Sequence, residues 1–512
     1  MPHRSLLLIL TLLAGCFVIR RVRVDEVRAP VRDSVQVSTP VKAHLLDGST
    51  VLYNNGVTVR QDRLVGPGQR YGLRLQLVEV VQSVAVDSVI GMETFRPNTD
   101  PIATIGLSFV ATTVGAAAIT ATAAAIFGSC PTFYSDSAGT AVLEAEGFSY
   151  SIAPLFEARD VDRLRATAGA DGTLRLEVRN EALETHEINQ LQLLETVRRL
   201  DEQVAPDGYG RPLALSALVA PTAARDRAGR DLIARLREAD GTVFASDTAR
   251  LGQATEQDLG DYIDLTFPPV AAGDSLALVF RLRNSLLNTV LLYDVMLGSR
   301  AARALDWQSR DLSRIGPALE LGNWYSARMG LRVLAPREGG YREVGRLRDT
   351  GPIAWKDVAI VVPRPGSDSV RIRLSFPVDN WRIDRVALAA SVRRPLIRTL
   401  TLARVDGAGA RSDTSALGAM READGRYLET RPGQHFTAVW EVGAAPAGSA
   451  RTFLLASQGY YTEWIRGGWL ATARDTSAFA ATDASLLRAI EQWRRSRDSL
   501  EHRFYASRIP VR

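Results

Sequence analysis

Apolar residues recur at every second position through much of this chain, and that alternation predicts a protein built mainly from antiparallel β-strands. After an Asp171-Gly172 turn, Leu174, Leu176 and Val178 share one face while Arg175, Glu177 and Arg179 take the other; Asn180 begins a polar turn, and Ile188, Leu191 and Leu193 return. The plan repeats after Gly273-Asp274, with Leu276, Leu278, Phe280 and Leu282, a turn at Asn284, and a return through Val290, Leu292 and Val295. A third copy follows Asp368, with Val370, Ile372, Leu374 and Phe376, a turn at Asp379-Asn380, then Ile383, Val386 and Leu388; a weaker fourth runs from Phe436 to Leu455. Period-two burial with Asx turns predicts hairpins that lay one face on a core. Such strands, with few helices between them, favour β-sandwiches, one over 131–300 and a second over 301–470.

The pattern changes elsewhere. Residues 35–98 carry short alternating runs (Val57 and Val59; Leu73, Leu75 and Leu77) between turns at Asp47-Gly48, Asn54-Asn55-Gly56 and Gly66-Pro67-Gly68, which predicts a small β-barrel. The segment resembles the Sm- or SH3-like barrels of some bacterial envelope proteins. Within 99–130 lies an uncharged run, Ile102 to Phe127, long enough to span a bilayer but rich in Ala, Thr and Gly. It is read either as a segment that enters the membrane or as an apolar helix or hairpin packed on its own domain. Residues 223–239 predict a helix with Ala228, Leu232, Ile233 and Leu236 on one stripe. In the C-terminal segment, 471–512, Asp483 is placed to cap an amphipathic helix. Its Leu486, Ile490, Trp493, Leu500 and Phe504 recur at helical spacing among Arg488, Arg494, Arg495 and Arg503, which suits docking on the preceding sandwich or, alternatively, a partner or membrane surface.

At the N-terminus Arg4 precedes an apolar run from Leu6 to Leu13, followed by Ala14, Gly15 and Cys16. Apolar character continues to Ile19, but the run is shorter than the roughly 20 residues a spanning helix needs. As an uncleaved anchor it would also leave Arg20, Arg21 and Arg23 on the outer side. Leu13-Ala14-Gly15-Cys16 resembles the lipobox of bacterial lipoproteins. That resemblance implies a signal peptide over 1–15, a diacylglycerol thioether on Cys16, and a charged tether over 16–34 that holds the protein to a membrane of the cell envelope. Phe17, where inner-membrane lipoproteins usually carry aspartate, favours the outer membrane.

With 512 residues, 46% of them hydrophobic and 23% charged, the chain is globular and long enough for two to four domains. Its 62 basic and 57 acidic side chains are spread without a basic block, so nucleic acid is excluded as an expected partner. Lys42 and Lys356 are the only lysines among many arginines, a bias that suits a GC-rich genome. Once Cys16 is committed to lipid, Cys130 is alone, so no internal disulfide is expected.

Catalytic signatures are scarce. There is no GxSxG, SxxK or GxxxxGK[ST] sequence, and His3, His44, His186, His435 and His502 are scattered without metal-binding spacing, so neither a nucleotide, a metal nor another cofactor is expected. Asp258, Asp261 and Asp264 form an acidic group, but on a strand 261 and 264 face opposite ways, which favours a solvated edge over a calcium site. Cys130 sits in Ser129-Cys130-Pro131-Thr132-Phe133-Tyr134-Ser135, upstream of Glu146-Gly147-Phe148-Ser149-Tyr150, with no local histidine to act as its base. This stretch resembles a segment of uncharacterised secreted bacterial proteins, and residues 262–282 and 370–386 resemble strands of galactose-binding-like jelly rolls.

All eight tryptophans follow residue 300, and Tyr460, Tyr461, Trp464 and Trp469 form the densest aromatic group. Exposed, they would stack on sugar rings; buried, they would be core. The expectation is therefore a lipid-anchored envelope protein that serves as a non-catalytic binding or structural module for a protein or glycan. The alternative is a glycan-active hydrolase with an unrecognised carboxylate site, which needs two carboxylates facing one another about 5–10 Å apart across a pocket.

Overall fold

The computed structural model describes residues 21–22, 35–37, 41–94, 130–297, 315–463 and 481–511, apart from short gaps at 46, 48, 61, 73–76, 271–274, 364–368, 408, 410, 445–449 and 507. The expected signal peptide, Cys16, most of the tether, the uncharged run at 102–127, Trp464 and Trp469 lie outside the described residues.

The first sheet has eight strands: β1 (Arg21–Val22), β2 (Val35–Val37), β3 (Val41–Leu45), β4 (Thr50–Tyr53), β5 (Val57–Val59), β6 (Arg63–Tyr71), β7 (Leu77–Ala85) and β8 (Val89–Thr94). Their order is β1-β8-β3-β4-β6-β5-β2, with β7 on β6, so these pairings make an open path rather than a closed barrel. Val41, Val51, Tyr53, Val57 and Leu64 form its core. Gly66-Pro67-Gly68, expected as a turn, is an irregularity inside β6. There a Cβ on Gly68 would lie 2.6 Å from Val51 Cγ1, so the core leaves room only for glycine.

Two β-sandwiches follow, one inserted in the other. The outer one begins with β9 (Thr132–Ser137), β10 (Thr140–Glu146), β11 (Ala158–Arg163), β12 (Thr173–Arg179) and β13 (Glu184–Arg198). The chain then builds the inner sandwich from β14 (Gln203–Pro206), β15 (Pro212–Val219), β16 (Ala223–Asp226), β17 (Gly260–Phe267), β18 (Leu276–Asn284), β19 (Leu331–Arg337), β20 (Gly340–Leu347), β21 (Lys356–Val362), β22 (Val370–Pro377) and β23 (Trp381–Arg393). It returns to the outer sandwich with β24 (Arg398–Thr401), β25 (Arg404–Asp406), β26 (Leu428–Thr430), β27 (His435–Glu441) and β28 (Ala450–Glu463). The sequential division at 300/301 is thereby replaced by a nested one.

The outer sheets are β10-β9-β12-β27-β25 and β11-β28-β13-β24, with β26 also on β13; Phe133, Leu176, Leu193, Trp440 and Leu455 pack between them. The inner sheets are β14-β15-β23-β18-β21 and β16-β17-β22-β19-β20, closed on Ile263, Leu278, Phe280, Leu374 and Trp381. Val161, Leu194 and Leu454 of one sandwich meet Val204 and Ala214 of the other, so the four sheets stack in series.

The repeated motif is an arch and not a hairpin. β12 and β13 lie in different sheets, as do β22 and β23, and β27 and β28. Each turn carries the chain across a core, which explains why the turn residues Asn180, Asp379 and Asn380 are buried. Alternation marks the buried face of a strand but not its neighbour. In the second copy the return is helical: Val290–Leu297 forms a π-helix whose apolar residues are buried all round, on successive positions rather than alternate ones. The helix expected over 223–239 shrinks to Ile233–Leu236, because Ala223–Asp226 pairs as β16 and buries Ala224 and Asp226 at period two.

The C-terminal helix, Asp483–Ala506, buries Leu486, Ile490, Trp493, Leu500 and Phe504 as its spacing predicts. It packs with the 287–297 helical segment, Leu251 and Leu321 in a helical layer. Its cap is Thr482, whose Oγ1 accepts from the Ser485 N–H at 3.1 Å, while Asp483 pairs with Arg328 at 2.6 Å. Among the described residues no helix is long and apolar enough to cross a membrane.

Candidate functional site

Tyr460 and Tyr461 do not form an exposed stacking surface. They lie near the end of β28, paired with Glu187 and His186 of β13 just past the last β11 partner at Gly459, and are 0% and 3% exposed. Tyr460 packs edge-on against Tyr427. The acidic group is also dispersed: Asp258 pairs with Arg227 and Arg250, Asp264 with Arg373, and Asp261 accepts the Ser246 hydroxyl. Among the described residues no His, Cys, Asp and Glu grouping is placed to hold a metal.

A cavity of about 340 Å³ instead opens where both sandwiches meet the helical layer. The outer sandwich contributes Cys130, Glu146 and Tyr461; the inner one contributes Asn288, Tyr293 and Asp349; helix Ile315–Arg328 adds Leu321, Tyr325 and Ser326. Arg348 and Asn323 are the exposed lining residues and mark its mouth.

Glu146 terminates β10 and is fully buried. Its Oε2 accepts from the backbone N–H groups of Ile353 at 2.8 Å and Ala354 at 3.1 Å, tying the outer sandwich to the loop that leads into β21. Gly351 is required beside it: φ is +79° and an added Cβ would fall 2.5 Å from the carboxyl. Burial pushes the Glu146 carboxyl up to about 8, against the pull of those two N–H groups and of Lys356. Asp349 is also raised by removal from water, but its oxygens are committed, Oδ1 to the Gly351 N–H at 2.8 Å and Oδ2 to the Asn288 amide at 2.5 Å.

Burial, then the nearby Glu146 and Glu184 carboxyls, push the Cys130 thiol well above its usual range, which keeps it protonated and a poor nucleophile. Tyr461 donates to the Ser149 carbonyl at 3.1 Å and lies 3.4 Å from the Tyr293 hydroxyl, so these rings are locked into the wall. The arrangement offers an apolar recess with a few fixed polar groups. Among the described residues its lining offers neither an activated nucleophile nor a pair of free carboxylates.

Glu146, Asp349 and Asn288 lie far apart in sequence and were not expected as site residues. Asn288 carried the clearest signal, an amide inside the apolar run from Leu286 to Leu297. Cys130 and the Glu146–Tyr150 stretch stood out only through their resemblance to uncharacterised proteins.

No family model matches the chain, and no curated protein matches it. Among solved structures it is similar to tripeptidyl peptidase 2 at 10% identity with a TM-score of 0.13, over 68% of this chain. The chain spans only 23% of that protein's length, and a likeness at this level carries no argument.

Proposed function

We propose that this chain is a cell-envelope lipoprotein, held through Cys16, that binds a small molecule in the cavity between its two sandwiches without transforming it. The observation that carries this reading is the cavity itself: it has the size and apolar lining of a ligand pocket. The hydrolase alternative loses ground because Asp349 spends both carboxylate oxygens on the cavity wall, leaving Glu146 without a free carboxylate partner. Anchoring rests on the Leu13-Ala14-Gly15-Cys16 sequence, whose resemblance points to the outer membrane.

Each part has its own test. Cys16→Ala should abolish incorporation of labelled palmitate and leave a heavier precursor; continued labelling would remove the anchor. For the cavity, the neutral dye Prodan should shift its emission to the blue with the wild-type protein. Ser326→Trp, at a half-buried helix position, should block that shift without unfolding the chain. Prodan emission that stays aqueous, or is indifferent to this substitution, would remove the site.

A further inference from the structure

The polar groups deep in the cavity wall are occupied or sealed. Glu146 Oε2 holds the Ile353 and Ala354 N–H groups, and Asp349 holds the Gly351 N–H and the Asn288 amide. Glu146 Oε1, Ser149 Oγ and Asn288 Oδ1 are shut off from solvent. At the mouth the situation reverses. Arg348 and Asn323 are exposed, and among the described residues neither side chain makes a hydrogen bond or an ion pair. The arginines around Arg348 are committed: Arg346, two positions earlier, pairs with Glu343 at 2.8 Å, and Arg283 donates to the carbonyl of Pro352, itself a lining residue. A guanidinium and an amide NH2 both donate hydrogen bonds, and a cation at the rim of a low-dielectric recess attracts an anion more strongly than one on an open surface.

We infer that the cavity takes an amphipathic monocarboxylate, its apolar body inward and its carboxylate at the mouth on Arg348 and Asn323. This rests on the cavity being a binding site. The body of the ligand would lie against Phe156, Leu292, Leu321 and Tyr325. The planar guanidinium matches the two oxygens of a carboxylate, and its single charge balances a carboxylate better than a phosphate dianion. An anion driven deeper would meet Asp349, which keeps the head at the rim, and a cationic ligand would be repelled by Arg348.

The probes are 4-phenylbutyrate and 4-phenylbutanamide, which share a skeleton and differ in charge, measured by saturation-transfer NMR on the full chain in nonionic detergent with detergent alone as the blank. The acid should bind about tenfold more tightly than the amide at neutral pH, and its advantage should shrink as salt is raised. Arg348→Gln should bring the acid down to the level of the amide and leave the amide unchanged, while Arg348→Lys should keep part of the preference. Because Arg348 is exposed and unbonded, both variants should keep the wild-type urea midpoint. Ser326→Trp should abolish binding of both probes. Equal binding of acid and amide, or a preference that survives Arg348→Gln, overturns the proposal; if Ser326→Trp still blocks both probes, the cavity stands as a site and only the ligand class falls. Acid binding that ignores Ser326→Trp places the carboxylate elsewhere and overturns the proposal. If neither probe binds at millimolar concentration, the proposal falls alone where Prodan still shifts to the blue, and together with the cavity where it does not.

Discussion

Lys356→Met is expected to destabilise the protein by about 3–5 kcal/mol, because it strands two buried carboxylates. The Lys356 ammonium lies 2.6 Å from Asp160 Oδ2 and 3.0 Å from Asp162 Oδ1, and joins β21 of the inner sandwich to β11 of the outer one. Burial opposes its charge, but the two adjacent carboxylates outweigh that and hold the ammonium well above its usual range. Methionine keeps the length of the stem and removes the charge, leaving Asp160 and Asp162 facing each other at the seam between the sandwiches. Burial raises the Asp162 carboxyl to about 7 against the pull of Lys356, so without the ammonium Asp162 takes up a proton as pH falls, and the loss should be greatest near neutral pH and shrink towards pH 5. Urea midpoints for wild type and variant at both pH values measure this. Combining Lys356→Met with Asp160→Asn and Asp162→Asn should restore much of the stability; a single variant within about 1 kcal/mol of wild type at neutral pH would rule out the account.

Lys356 also illustrates how much was legible beforehand. The chain uses arginine almost throughout, and its two lysines, Lys42 and Lys356, are both buried. A compact ammonium can sit between two carboxylates where a planar guanidinium needs more room. Read as composition, the scarcity of lysine suggested only a genomic bias; its meaning depends on partners almost 200 positions away. The same separation of local from distant information runs through the fold. Alternation located the buried faces of β12 and β22 and the helical spacing of Leu486 to Phe504, because those depend on neighbours along one element, whereas β18 is buried on both faces from Leu276 to Phe280. It did not distinguish an arch from a hairpin, nor an inserted sandwich from two in tandem, because both preserve the alternation. Tyr460 and Tyr461 suited either a surface that stacks on sugar rings or a core, and their burial on β28 decides for the core; the local sequence did not choose, because strand order is not written locally. The cavity was the least legible feature, since Glu146, Asn288 and Asp349 converge only after the insertion is folded.

Asp379→Ala is the second substitution expected to cost several kcal/mol, through a different device. Asp379 turns the β22–β23 arch with φ +57°, a left-handed conformation that aspartate tolerates better than alanine, and it is completely buried. Its Oδ1 accepts from the Ser246 N–H at 3.0 Å and from Arg382 Nη1 at 2.7 Å, while Oδ2 accepts the Trp493 indole N–H at 2.7 Å. Arg382 continues to Glu501 at 3.1 Å and Arg497 lies 3.5 Å from Asp379 Oδ2, so one carboxylate and its guanidinium partner connect the arch to the C-terminal helix at three points. Alanine would leave a buried guanidinium short of its carboxylate and the indole N–H unsatisfied, besides straining the backbone. The combined loss should reach about 3–5 kcal/mol by urea denaturation. Asp379→Asn keeps the left-handed turn and an acceptor but not the charge, and should fall between alanine and wild type. Because the lost bonds join the helix to the arch, trypsin should cut at Arg494 and Arg495 sooner in the alanine variant than in wild type under native conditions. Unchanged cleavage together with a loss below about 1 kcal/mol would show that apolar burial of Trp493 alone holds the helix in place.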